Sequence, residues 1–237
     1  MVLRERIGDD AADYVEAVAG RVVDRLGDDV VGIWLVGSAA LGDFSAQRSD
    51  IDIQAVTAEP LAAERLAELA AALEHHSLPV PARGLEFVLY TRAGLADPAG
   101  PAFQLNLNTG ARMEHHLATD PDADPRFWFV IDLSIARQSA ITLRGAAPAE
   151  VLLDLPRPMV CEAVRQALDW YVDNHGRSAE TALSACRSWA FAVDGVWRSK
   201  TDAARWAGVR AADEADVDRL LAEARNALRD CAPRGAA

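Results

Sequence analysis

The sequence predicts an α/β (α+β) domain over residues 1–145 followed by an all-helical C-terminal domain over residues 146–237. Three observations predict it. Short apolar stretches of strand character, "VVGIWLV" (30–36), "SDIDIQAVT" (49–57) and "GLEFVLYT" (84–91), alternate with helical stretches in the first half. From about residue 120 the texture changes, and one helical stretch follows another. Between the halves "LRGAAPAEVLLDLPRP" (143–158) has enough Gly and Pro to serve as a connection.

Each element has its own reason. Residues 9–26 place Val15, Val18, Val22, Val23 and Leu26 at near-helical spacing behind an Asp-rich start, which suits a helix N-terminus. The apolar run at 30–36 reads as a buried strand. In "SDIDIQAVT" Asp50, Asp52 and Gln54 alternate with Ile51, Ile53 and Ala55, the period of a strand with one polar and one apolar face. Residues 59–76, rich in Ala, Leu and Glu with Pro60 near the first turn, predict a helix. In the second half helices are predicted over 124–141, 156–174, 178–195, 199–208 and 213–230.

Composition narrows the function classes. The chain has 237 residues, 51% of them hydrophobic, enough for a sizeable core. Its formal net charge of −12 argues against nucleic acid or an anionic membrane as partner and suits a cationic ligand. The three cysteines, Cys161, Cys186 and Cys231, have neither zinc-site spacing nor the density of a disulfide framework. No run approaches the ~20 apolar residues of a membrane span, and "MVLRERIGDDAADYVEAV" has no signal-peptide core. A cytoplasmic protein, monomeric by preference, is expected.

The chemistry concentrates in "GSAALGDFSAQRSDIDI" (37–53). Strand geometry points Asp50 and Asp52 to the same side, and two such carboxylates resist joint ionisation unless a cation sits between them. Mg²⁺ is the natural resident, because it takes hard oxygen ligands and completes its shell with water and phosphates. Upstream, Gly37 and Ser38 read as a turn, where a missing side chain admits a phosphate and a hydroxyl can donate to it. Glu86, flanked by apolar residues on the next predicted strand, joins the Asp pair if the strands are neighbours. It is then either a third metal ligand or a general base.

Gly37-Ser38 followed by Asp50-x-Asp52 resembles the signature of the nucleotidyltransferase superfamily that includes DNA polymerase β. The order and spacing of "GSAALGDFSAQRSDIDI", "RGLEFVL", "IDLSIARQSAITLRGAAPAEVLLDLP" and "SACRSWAFAVDGVWRSKTDAARWA" further resemble the bacterial aminoglycoside adenylyltransferases that modify streptomycin and spectinomycin, over about residues 30–230. The resemblance implies a polymerase-β-like nucleotidyltransferase domain whose helical C-terminal domain closes over ATP. It implies Asp50 and Asp52 as Mg²⁺ ligands, Glu86 as the base, Ser38 and Ser49 beside the triphosphate, and Arg187 and Lys200 as nucleotide contacts. Lys200 is the only lysine in the chain. Two expected drug contacts are missing. Gly110 stands nearest the place of a Trp in the family, and Arg177 stands at or near the place of an Asp.

These readings predict AMP transfer from ATP to a hydroxyl of a small, cationic acceptor such as an aminoglycoside or aminocyclitol, a resistance activity. The rivals are adenylylation of another small molecule and a non-catalytic, nucleotide-binding regulatory protein. The three converging carboxylates count against the second, and the acidic balance counts against transfer to RNA or protein. The doublets His75-His76 and His115-His116 read as surface histidines, and Trp170, Trp189, Trp197 and Trp206 as core or interface residues.

Overall fold

The structure, a computed structural model, describes residues 2–97, 100–209 and 216–231. The chain divides into two units, Met1–Leu153 and Asp154–Ala237.

In the first unit the elements run α1 (Val2–Ile7), α2 (Asp9–Leu26), β1 (Val30–Leu35), α3 (Gly37–Leu41), β2 (Ile51–Thr57), α4 (Ala63–Leu73) and β3 (Leu85–Thr91). They continue with α5 (Arg92–Leu95), β4 (Phe103–Thr109), β5 (His116–Ala118), α6 (Arg126–Ser139), β6 (Ile141–Gly145) and α7 (Pro148–Val151). The strands form one sheet in the order β5-β4-β3-β2-β1-β6. β2 and β3 run parallel and the other neighbours antiparallel.

Period-two alternation decides what each face of the sheet carries. Ile51, Ile53 and Ala55 of β2, Leu85, Phe87 and Leu89 of β3, and Leu105 and Leu107 of β4 point to one face. There they pack against Val15, Val18 and Val22 of α2 and Leu66, Leu69 and Leu73 of α4, and this is the core of the unit. The intervening residues, Asp52 and Gln54 with Glu86, Val88 and Tyr90, point to the other face. A bulge between Leu89 and Tyr90 alters the register, so that Phe103 pairs with Tyr90 and packs on Phe129 of α6, ring centroids 4.8 Å apart. Each buried side chain of this size contributes roughly 1.5–3 kcal/mol over exposure. The core is thus ample to hold polar groups on the opposite face.

The structure departs from the sequence expectations in a few places. Gly37 and Ser38 open the short helix α3 rather than a free turn, because Ala39 and Ala40 bury in helical geometry before Gly42 ends it in the left-handed region at φ 78°. The helix expected over 59–76 is confined to α4, with Pro60 in the extended segment before it. β4 and β6 were not foreseen. The first alternates as "FQLNLNT" and pairs with β3, and the second is a half-exposed edge strand beside β1.

The second unit contains α8 (Arg157–His175), α9 (Ala179–Asp194), α10 (Lys200–Trp206) and α11 (Val217–Cys231). Ser178 and Ser199 cap α9 and α10 by accepting from the backbone N–H groups of Thr181 and Asp202. Residues 213–215 of the helix expected over 213–230 lie outside the described residues. Trp197 is buried and stacks on Phe191 at 4.0 Å, whereas Trp206 lies at the surface beneath Arg198. Cys161 and Cys231, 70 residues apart, are joined as a disulfide between α8 and α11, and Cys186 is a buried free thiol. No local spacing announces that pair, because only the packing of the two helices brings it together.

Candidate active site

The parallel pairing of β2 with β3 sets Asp52 directly opposite Glu86. The register continues below the strands, where the Arg83 N–H donates to Ser49 O and the Ile51 N–H to Gly84 O. This places Arg83 beside Asp50, which stands immediately before β2. Arg83 Nε and Nη2 donate to Asp50 Oδ1 and Oδ2 at 2.7 and 2.5 Å, a two-pronged contact that occupies both carboxylate oxygens. The Arg83 side chain is 46% exposed and that of Asp50 14% exposed.

Asp52 and Glu86 relieve their repulsion differently. The two side chains hydrogen-bond one another, which favours the protonated form of Asp52 and the ionised form of Glu86. Burial, reinforced by Glu86, Asp50 and Asp132, drives the Asp52 carboxyl well above the usual range. Burial with Asp50 and Asp132 pushes Glu86 up to about 7, against the opposing pull of Arg83 and of the Asp52 hydrogen bond. The site thus meets three acids with a shared proton and a guanidinium. Asp132, on α6 between Ile131 and Leu133, is a fourth acid acting on both carboxyls and on Tyr90.

α3 closes the other side. Val36 N–H donates to Asp52 O, and Gly37 follows at φ +62°. A Cβ on Gly37 would fall 1.9 Å from Asp52 Oδ2, so that the space against this carboxylate exists only because the residue is glycine. Ser38 Oγ is buried without a hydrogen-bond partner among the described residues. Ser49 Oγ accepts from the Ser45 N–H and shapes the loop leading to Asp50. Gly37→Ala is expected to lower stability by about 1–3 kcal/mol, through the backbone conformation and the clash together, and to abolish activity. Thermal unfolding checks it, and an unchanged Tm would contradict the tight contact.

Among the described residues, no three His, Cys, Asp or Glu side chains are already gathered as a metal site. Both oxygens of Asp50 accept from Arg83. The donors nonetheless fit a hard divalent cation, since the cluster offers only carboxylate oxygens, a glycine cradle and an unpartnered serine hydroxyl.

The remaining predicted residues lie on the helical unit and are described there. Arg187 of α9 is half-buried and has no ion pair among the described residues. Lys200, the first residue of α10, lies 3.3 Å from Glu180 and 5.4 Å from the Tyr171 ring centre. Arg177 pairs with Asp218. On the first unit, Gly110 leaves no room for any side chain, because a Cβ there would meet Gly84 Cα at 2.6 Å and Arg83 O at 2.7 Å. His115 and His116 are tied to Glu74 and Asp124 at 2.7 and 3.0 Å. The sequence reading missed Arg83 and Asp132. Arg83 could have been found as a cation just ahead of the Glu86 strand, and Asp132 as a lone acid in an apolar helix.

Residues 15–93 match the nucleotidyltransferase domain family. No curated protein matches the chain in sequence. Among solved structures, the chain is similar to the spectinomycin adenyltransferase AAD(9) from Enterococcus faecialis, determined with ATP and spectinomycin. The TM-score is 0.64 at 17% identity, over 91% of this chain and 89% of that one. At that identity the likeness establishes the fold. The matched stretch, residues 15–93, carries Gly37, Ser38, Asp50, Asp52 and Glu86.

Proposed function

We propose that the protein is a Mg²⁺-dependent adenylyltransferase that moves AMP from ATP to a hydroxyl of a small, cationic, hydroxyl-rich acceptor of the aminoglycoside or aminocyclitol class. The observation that carries the reading is Glu86 facing Asp52 across parallel strands, beside Asp50 and the Gly37-Ser38 start of α3. The fold shared with an adenyltransferase solved with ATP and spectinomycin supports the nucleotide and the acceptor class.

In this reading the acceptor hydroxyl gives its proton to Glu86 as its oxygen bonds to the α-phosphorus. The bond from that phosphorus to the β-phosphate bridging oxygen breaks, and pyrophosphate leaves with the electron pair. Asp50 and Asp52 would hold the cation, which when bound supplies charge balance on the phosphates. Ser38 and Ser49 would donate to phosphate oxygens. Arg187 and Lys200 would add positive charge to the triphosphate, and the absence of an ion pair on Arg187 among the described residues suits that task. Glu86, held near neutrality by burial, is matched to accepting a proton at physiological pH.

Substrate choice follows from what the site lacks. A tryptophan cannot be accommodated at Gly110, and Arg177 presents a cation where an acid would favour an amino sugar. Spectinomycin, the smaller ligand, should therefore be preferred to streptomycin. The test is pyrophosphate release from ATP and Mg²⁺ across a panel of aminoglycosides and aminocyclitols, with release expected for spectinomycin above streptomycin. Release with none of them, in protein that binds ATP, would overturn the acceptor class.

A further inference from the structure

We infer that Arg112 is a positioning residue of the nucleotide site: from the turn between β4 and β5 it holds the Ser45–Ser49 turn in the arrangement that presents Ser49 and Asp50 to a triphosphate and its cation. The inference rests on the reading of Ser49 and Asp50 as nucleotide and metal contacts and gives a role to a residue outside that set. Three observations carry it. The Ser45–Ser49 turn closes on itself, with the Arg48 and Ser49 N–H groups donating to Ser45 O and the Ser45 N–H to Ser49 Oγ. Its tip is held from far along the chain, where Arg112 Nη1 donates to Gln47 O at 3.2 Å and Arg112 Nη2 to Ala46 O at 3.0 Å. The turn that carries Arg112 is itself fixed, since a Cβ at Gly110 would meet Gly84 Cα at 2.6 Å, one at Gly84 would meet Met113 Sδ at 2.6 Å, and His115 Nε2 lies 2.7 Å from Glu74 Oε1.

Both bonds from Arg112 are exposed, so water can take them over and their loss costs the fold little. What the guanidinium supplies is a restriction. Its donors lie in one rigid plane, and by engaging two successive carbonyls they fix the course of the chain into Ser49 and Asp50. A turn that holds this arrangement only part of the time binds nucleotide more weakly in proportion to that fraction.

The experiment is titration calorimetry of the full chain with α,β-methylene-ATP and Mg²⁺, combined with hydrogen–deuterium exchange over residues 43–50. Arg112→Ala should bind the analogue on the order of tenfold more weakly than wild type, exchange the Ser45, Arg48 and Ser49 amides faster without nucleotide, and lose less than about 4 °C in Tm. Arg112→Lys, which keeps the charge and a donor, should recover part of both the affinity and the protection. The inference is overturned if Arg112→Ala binds the analogue as tightly as wild type while Ser49→Ala binds it more weakly, a result that leaves the nucleotide site standing. Weaker binding by Arg112→Ala with exchange over residues 43–50 unchanged would also overturn it, since the guanidinium would then act on the nucleotide directly. A far larger loss in Tm with no recovery in Arg112→Lys would make the residue a structural one and overturn the inference too. Undiminished binding by both Arg112→Ala and Ser49→Ala would overturn the reading of Ser49 and the inference with it.

Discussion

Turnover in Glu86→Gln is expected to fall by roughly 10²- to 10⁴-fold, the usual worth of a general base, while ATP still binds. Glutamine keeps the shape opposite Asp52 and removes only the ability to take a proton. The pH profile separates this role from a structural one. Wild-type kcat/KM should rise with pH as Glu86 loses its proton, at or below about 7, because a bound cation lowers the pKa of neighbouring acids. The variant should lack that limb. Loss of ATP and metal affinity with little change in saturated turnover would instead make Glu86 a ligand.

The second large effect belongs to the Asp pair. Asp52→Asn should abolish transfer, with a loss of at least about 10³-fold, because charge balance on the phosphates is worth several kcal/mol. The same change should stabilise the metal-free protein. Asp52 carries its proton well above the ordinary carboxylate range in the fold, so the folded state holds more protons than the unfolded one. Its contribution is therefore present at low pH and is lost as pH rises through the usual aspartate value toward the elevated one. Asparagine removes this dependence, so the variant's advantage in Tm should be larger at pH 8 than at pH 5. Thermal unfolding without added metal at the two pH values checks the sign, and a wild-type protein more stable than the variant at pH 8 would contradict it.

Much of the first unit is legible in the sequence because the physics is local. The alternation of Ile51, Ile53 and Ala55 with Asp52 and Gln54 specifies a two-faced strand, and helix α2 announces itself through its valines and its acidic start. What escaped is set by pairing. Whether Asp50 stands unpaired cannot be read from "SDID", since its partner lies 33 residues away and arrives through the parallel register of β2 with β3. Asp132 escaped for the same reason, because only the packing of α6 brings it to bear on the sheet face that carries Asp52 and Glu86. β6 escaped because its residues are half-exposed and short, with no period to recognise. The Cys161–Cys231 pair belongs with these, being made by tertiary packing alone.

The acceptor is harder to read than the chemistry. Catalytic groups repeat in a fixed local pattern, whereas acceptor contacts come from scattered side chains, and the two positions expected to supply them hold Gly110, with no space for a side chain, and Arg177, engaged by Asp218.

The central claim is that the carboxylate face of β2 and β3 transfers an adenylyl group. The most direct measurement is the mass spectrum of spectinomycin after incubation with ATP, Mg²⁺ and either wild-type protein or Asp52→Asn. The account predicts an added adenylyl group with wild type, pyrophosphate released in equal amount, and unmodified acceptor with the variant. An equal yield of adenylylated acceptor from both proteins would contradict it.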